Sequence, residues 1–130
     1  MNLLDENIRL DQAEQLRKWR IKFRRFVVDL EYPGINDAQV IPVLHRLKHP
    51  TFFTHDRDYF RRSLVHRSYC LVWLDLFDGD AASFIRSFLR HRDFRTHAGR
   101  MGIVARVHPG GIGYWKSPQS GLIKARWRET

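Results

Sequence analysis

The chain has a single cysteine, Cys70, inside the apolar run Cys70-Leu71-Val72-Trp73-Leu74. One thiol excludes an intrachain disulfide framework and a paired-cysteine zinc site. Long hydrophobic runs are also missing. None approaches the roughly 20 residues a membrane span requires, so no membrane partner is expected. Ahead of Leu3-Leu4-Asp5 there is no basic region, extended apolar segment or small-residue cleavage site, and the expected location is cytoplasmic. Internal repeats and low-complexity linkers are lacking too, and 130 residues suit one domain, 1–130. Acids are scarce, with 14 Asp or Glu against 23 Lys or Arg and a formal net charge of +9.

That scarcity is local. From Ala81 to Thr130 there are ten Lys or Arg against two acids, whereas the first eighty residues nearly balance. A strongly basic part suits a polyanionic partner, because neutralising phosphates releases counterions. A solvated face, or one that meets an acidic protein, fits the charge equally well.

What is present alternates between strand and helix patterns. Met1 to Leu4 reads as a first strand. Ile8, Leu10, Ala13, Leu16 and Trp19 then recur at helical steps, with Asp11 and Glu14 early and Arg17, Lys18 and Arg20 late, as the helix dipole favours. Ile21 to Val28 offers a second strand, and Glu31-Tyr32-Pro33-Gly34 a turn. Asn36-Asp37 reads as a cap before a second helix through Leu47, in which Pro42 either delays the start or bends the axis. Thr51-Phe52-Phe53 is a buried strand set off by His49-Pro50. A short helix over Tyr59 to Leu64 follows, then the strand Cys70 to Leu74. Asp80 is expected to cap a helix carrying Ala81, Phe84, Ile85, Phe88 and Leu89 on one face. Ile103 to Val107 alternates, and His108-Pro109-Gly110-Gly111 leads into a terminal hairpin at Ile112, Tyr114 and Trp115. This order predicts an α/β fold with a mostly parallel sheet and helices on both faces, every parallel strand ending along one edge.

The few acids of the N-terminal part fall at that edge. Asp5 and Glu6 follow the first strand, Asp56 and Asp58 the third, and Asp75 the fourth, while Asp37 opens the second helix. In Thr54-His55-Asp56-Arg57-Asp58-Tyr59-Phe60 a two-residue step lets both carboxylates turn toward one point. Gathering that much negative charge is costly unless a cation sits among it. Carboxylate oxygen and water are the ligands of a hard ion such as Mg²⁺ or Mn²⁺.

Three blocks, Leu3-Leu4-Asp5-Glu6-Asn7, Asn36-Asp37 and Thr54-His55-Asp56-Arg57-Asp58-Tyr59-Phe60, occur in the order and spacing of a compact stand-alone PIN-like domain, which the chain resembles over almost its whole length. Pro42 and the long basic C-terminal part depart from that pattern. The resemblance implies a Rossmann-like PIN-like fold closed by a C-terminal β-hairpin. It also implies a metal-dependent ribonuclease, often the toxin of a VapC-like toxin–antitoxin pair. On that basis Asp5, Asp37, Asp56, Asp58 and Glu6 would hold Mg²⁺ or Mn²⁺. Asp5, Asp37 and Asp56 would be direct or water-mediated ligands, and Asp58 would complete the shell or orient the attacking water. Arg57 would neutralise charge on the phosphorane, and Arg86, Arg90, Arg92 and Arg95 would contact RNA. An antitoxin protein and a homodimer are partners compatible with the resemblance. The alternative is a catalytically inactive nucleic-acid-binding or protein-interaction module.

Other motifs carry less. The seven histidines lack a zinc spacing, although His55 lies inside the acidic stretch. Ser63 or Ser68 with His66 has no nucleophile elbow. Gly110-Gly111-Ile112-Gly113 precedes a strand rather than a helix, so it is not a dinucleotide fingerprint. Trp115 and Trp127, beside Lys116, Arg126 and Arg128, have the composition of a base-stacking surface, with hairpin core the favoured role for Trp115.

Overall fold

In the computed structural model, residues 1–26 and 37–127 are described, Asp37 and Ala38 by their backbone only. Val27-Val28, the turn Glu31–Gly34, Asn36 and Arg128 lie outside these residues. The chain runs β1 (Asn2–Leu4), α1 (Leu10–Lys18), β2 (Arg24–Arg25), α2 (Asp37–Arg46), β3 (Thr51–Thr54), β4 (Cys70–Leu74), α3 (Ala81–Arg90), α4 (His97–Arg100), β5 (Ile103–His108), β6 (Gly111–Lys116) and β7 (Ile123–Ala125). Short 3₁₀ turns occupy Arg57–Tyr59, Arg62–Leu64 and Asp78–Asp80.

The strands form one sheet in the order β2-β1-β3-β4-β5-β6-β7. The first five pair in parallel, and β6 and β7 return antiparallel. The expected mostly parallel α/β sheet with a C-terminal hairpin is therefore present, extended by β7 as a third antiparallel strand.

Adjacent residues on the central strands explain why helices cover both faces. Leu4, Phe53, Val72 and Ala105 point into one cluster with Ala13 and Leu16 of α1 and Ile85 and Phe88 of α3. Leu3, Phe52, Leu71 and Val104 point into the other with Val40, Val43 and Leu44 of α2. All eight of these strand residues are buried. Continuous apolar runs rather than alternation are what a sheet covered on both faces requires.

Local expectations fail at three places. Leu10 is 67% exposed, because α1 begins at that residue and only Ile8, Ala13 and Leu16 are turned inward. β2 is two residues long. Asp80 does not cap α3. It ends a 3₁₀ turn at φ −106°, ψ 5°, outside the extended conformation that a capping side chain needs, and makes no cap bond. Instead Gln12 Oε1 of α1 accepts the backbone N–H of Ala82 at 2.9 Å, so one helix caps another. Gln12→Ala is expected to lower unfolding free energy by about 1 kcal/mol in urea titration, the usual cost of a lost cap. Pro42 does lie inside α2, exposed to solvent, where it forfeits the bond a residue there gives to the carbonyl four positions back.

At the N-terminal edge of the sheet a guanidinium is buried. Arg100 donates from Nε to Thr51 Oγ1 at 3.1 Å and from Nη1 to the Phe94 carbonyl at 2.7 Å. Burial lowers its pKa and pushes that of the neighbouring Cys70 thiol up to about 12. No helix among the described residues is long and apolar enough to cross a membrane.

Candidate active site

β1 connects outward to β2 on one side, and the chain then returns to β3 on the other. The crevice between the carboxyl ends of β1 and β3 is thus the topological switch point, where open α/β sheets bind ligands. Asp5 leaves β1 there with its backbone N–H still bonded to the Phe53 carbonyl at 2.9 Å. Thr54, His55 and Asp56 leave β3 beside it.

The fully buried Thr54 joins the two strand ends. Its hydroxyl donates to Asp5 Oδ2 at 2.6 Å and accepts from Asn7 Nδ2 at 3.2 Å and from the Asp56 backbone N–H at 3.0 Å. One donor and two acceptor positions are all a hydroxyl has, so its capacity is filled. Asp5 Oδ1 accepts the Glu6 N–H at 2.8 Å, and Asp56 Oδ1 accepts the Asp58 N–H at 2.9 Å, capping the turn Arg57–Tyr59. Asn7 reinforces the junction, its Oδ1 accepting the His55 N–H at 3.2 Å.

His55 is fixed in one tautomer. Its Nδ1 lies 3.0 Å from the Leu74 carbonyl, which only accepts, so Nδ1 carries the hydrogen. Nε2 is buried without a hydrogen-bond partner among the described residues.

The remaining sequence candidates are dispersed. Glu6, Arg57 and Asp58 are exposed beside the junction, and the Asp37 side chain lies outside the described residues. Asp75 does reach the same edge, but Arg106 donates to its Oδ2 from both Nε and Nη2 at 2.8 Å, so its charge is already answered. Among the described residues no three His, Cys, Asp or Glu side chains come together as a metal-holding group.

The arginines divide between several places. The Arg86 guanidinium sits 3.6 Å above the Trp19 ring centroid, packed between α3 and the end of α1. Arg90, Arg92 and Arg95 border a concavity of about 350 Å³ against β7, with Asp93 the acid beside them. Trp127 is no open stacking surface, since its Nε1 donates to the His108 carbonyl at 2.6 Å and its ring meets Phe84 edge-on. Trp115 stacks on Phe60 at 4.5 Å.

Sequence reasoning did not single out the Thr54 hydroxyl, Asn7 or Arg106. A polar residue at the centre of an alternating apolar strand was the available signal for Arg106. The other two needed the register between β1 and β3. No family model, curated protein or solved structure matches the chain.

Proposed function

We propose that the chain is a Mg²⁺- or Mn²⁺-dependent endoribonuclease of PIN-like type that hydrolyses RNA phosphodiester bonds. The toxin half of a toxin–antitoxin pair is the setting its sequence resemblance implies. The observation that carries the reading is the meeting of Asp5 and Asp56 at the Thr54 hydroxyl, at the switch point of the sheet.

The donor set fits such an ion. The Asp5 carboxylate and the Asp56 backbone N–H meet at one hydroxyl, which sets the two acids on adjoining strand ends, and Mg²⁺ is commonly held by one or two carboxylates, with water and substrate phosphate completing its shell. Asp5 and Asp56 would hold it, with Asp37 as the third acid by resemblance. When bound, the ion would lower the pKa of a water and offset negative charge on the scissile phosphate.

The chain's own groups do the positioning. Thr54 fixes the Asp5 carboxylate through Oδ2 and the Asp56 backbone through its N–H, so neither strand end can shift without breaking a part-buried hydrogen bond. Asp58 is assigned to orient the attacking water. Arg57, exposed one residue after Asp56, is assigned to the charge that develops on the phosphorane. The pairing of Asp75 with Arg106 keeps that carboxylate from adding to the repulsion an RNA strand would meet.

A non-catalytic nucleic-acid-binding module is the second reading, favoured by the cationic border that Arg90, Arg92 and Arg95 give the concavity against β7. The two readings separate in one assay. A labelled single-stranded RNA is incubated with the protein in Mg²⁺, in Mn²⁺ and in chelator. Cleavage with either metal and none in chelator is expected. Intact RNA under every metal condition, or cleavage that persists in chelator, would remove the nuclease reading.

A further inference from the structure

The strand register extends the junction into a row across the sheet. Thr54 of β3 lies opposite Trp73 of β4, Trp73 opposite Arg106 of β5, Arg106 opposite Gly113 of β6, and Gly113 opposite Lys124 of β7. Residues directly opposite one another project from the same face. Four steps of about 4.8 Å put Lys124 roughly 19 Å from Thr54 along one line.

The far end of this row is open. Gly113 leaves a bare strand between Arg106, which is paired with Asp75, and the cationic Lys124, and a Cβ built there would meet nothing closer than Leu122 Cδ1 at 4.0 Å. The resulting trough, of about 610 Å³, is bordered by Phe60, Arg106, Leu122, Lys124 and Arg126, with no acid among its described lining residues. Phe60 lies four residues beyond Asp56, on the segment that leaves the junction, so trough and junction share a wall. Its ring stacks on Trp115 and tilts against Trp73 at 5.6 Å. Leu122, which lines the trough, is 49% exposed.

We propose that this trough is the binding groove for a single-stranded RNA whose backbone continues along the row to the Asp5–Asp56 junction. Lys124 and Arg126 contact phosphates, and Phe60 and Leu122 form the apolar floor against which bases lie. Cations beside an aromatic ring, with bare backbone between, match single-stranded nucleic acid, because every base has a face to stack and every linkage a charge. The direction of the strand toward the junction rests on the nuclease reading; the groove itself does not.

The test measures binding apart from cleavage. Anisotropy of a labelled single-stranded RNA is followed with the full chain in chelator, over a series of salt concentrations. Lys124→Ala with Arg126→Ala is expected to weaken binding about tenfold near 0.1 M salt. Losing two phosphate contacts at ~0.7 each should also lower the slope of log K against log salt by about 1.4. Gly113→Val removes no charge and fills the trough. Gly113 is not at a positive φ, and valine suits a strand, so this variant should melt like the parent yet bind at least tenfold more weakly.

Parent-like binding by both folded variants would overturn the groove. So would equal affinity for duplex RNA, or tighter binding of an acidic peptide. Variants that bind weakly while the parent cleaves nothing under any metal would retain the groove and discard the nuclease. Cleavage by the parent with unchanged binding in the variants would do the reverse.

Discussion

Asp5→Asn should reduce metal-dependent RNA cleavage by at least a hundredfold while the protein still folds, with the melting temperature lowered by only a few degrees, about the cost of one hydrogen bond. Disturbing an outer partner of a metal ligand typically costs about 10- to 100-fold, and losing the charge of a ligand itself should cost no less. The cost to the fold is about one hydrogen bond, roughly 1 kcal/mol. Asparagine keeps an oxygen for only one of the two donors, the Thr54 hydroxyl at 2.6 Å or the Glu6 N–H at 2.8 Å, and turns its amide nitrogen to the other. Thr54→Val separates positioning from ligation. It keeps both carboxylates and removes the hydroxyl that joins the Asp5 carboxylate to the Asp56 N–H, so activity should fall by a smaller factor and recover in part as Mn²⁺ is raised. Raising Mn²⁺ should not rescue Asp5→Asn. Cleavage by folded Asp5→Asn at the parent rate in Mn²⁺ would mean that the junction is only a structural corner.

The contrast between those two substitutions reflects what the sequence displays. An acid within a few residues after an apolar run marks the end of a strand, and Asp5 directly after Leu3-Leu4 and Asp56 three residues after Phe52-Phe53 carry that mark in plain order. So do β4 and α3, where five consecutive apolar residues, four of them buried, and a 3.6-residue apolar repeat leave little choice of element. Register is a different matter. That Thr54 bonds Asp5, or that Thr54, Trp73, Arg106, Gly113 and Lys124 form one row, depends on how five strands slide past one another, which no single segment encodes. Arg106 reads as an interruption in an apolar strand until Asp75 is found beside it. β7 is three residues long, too short to show a period. Leu10 and Asp80 mislead for a common reason. Each lies at a helix boundary, where one residue of shift turns a side chain from core to solvent or takes a carboxylate out of capping range.

Phe88→Ala should be the most damaging single truncation for stability, lowering unfolding free energy by about 4 kcal/mol. Its ring is the second member of an aromatic chain through the core on the α1–α3 side. Phe53 meets Phe88 edge-on at 5.9 Å, Phe88 stacks on Phe94 at 4.7 Å, and Phe94 meets Tyr114 edge-on at 5.1 Å. The chain ties β3, which carries Thr54, to α3, to the segment after it, and to β6, which carries Gly113. Removing the Phe88 ring deletes two ring contacts at once. The void that remains cannot fill by collapse, because Phe53 is fixed by the sheet and Phe94 has the buried Arg100 bonded to its carbonyl. Against a total of roughly 5–15 kcal/mol for a domain of this kind, such a loss brings the protein close to unfolding at physiological temperature. Phe88→Leu keeps most of the apolar volume and should cost about half as much. It should also retain parent-like RNA binding and cleavage per folded molecule, because the substitution lies in the core and not at the edge where Asp5 and Asp56 meet. Denaturant titration beside the anisotropy assay checks both statements. A Phe88→Ala protein as stable as its parent would show that the core repacks around the gap. A stable Phe88→Leu protein that no longer binds RNA would show that the row from Thr54 to Lys124 depends on the core beneath it.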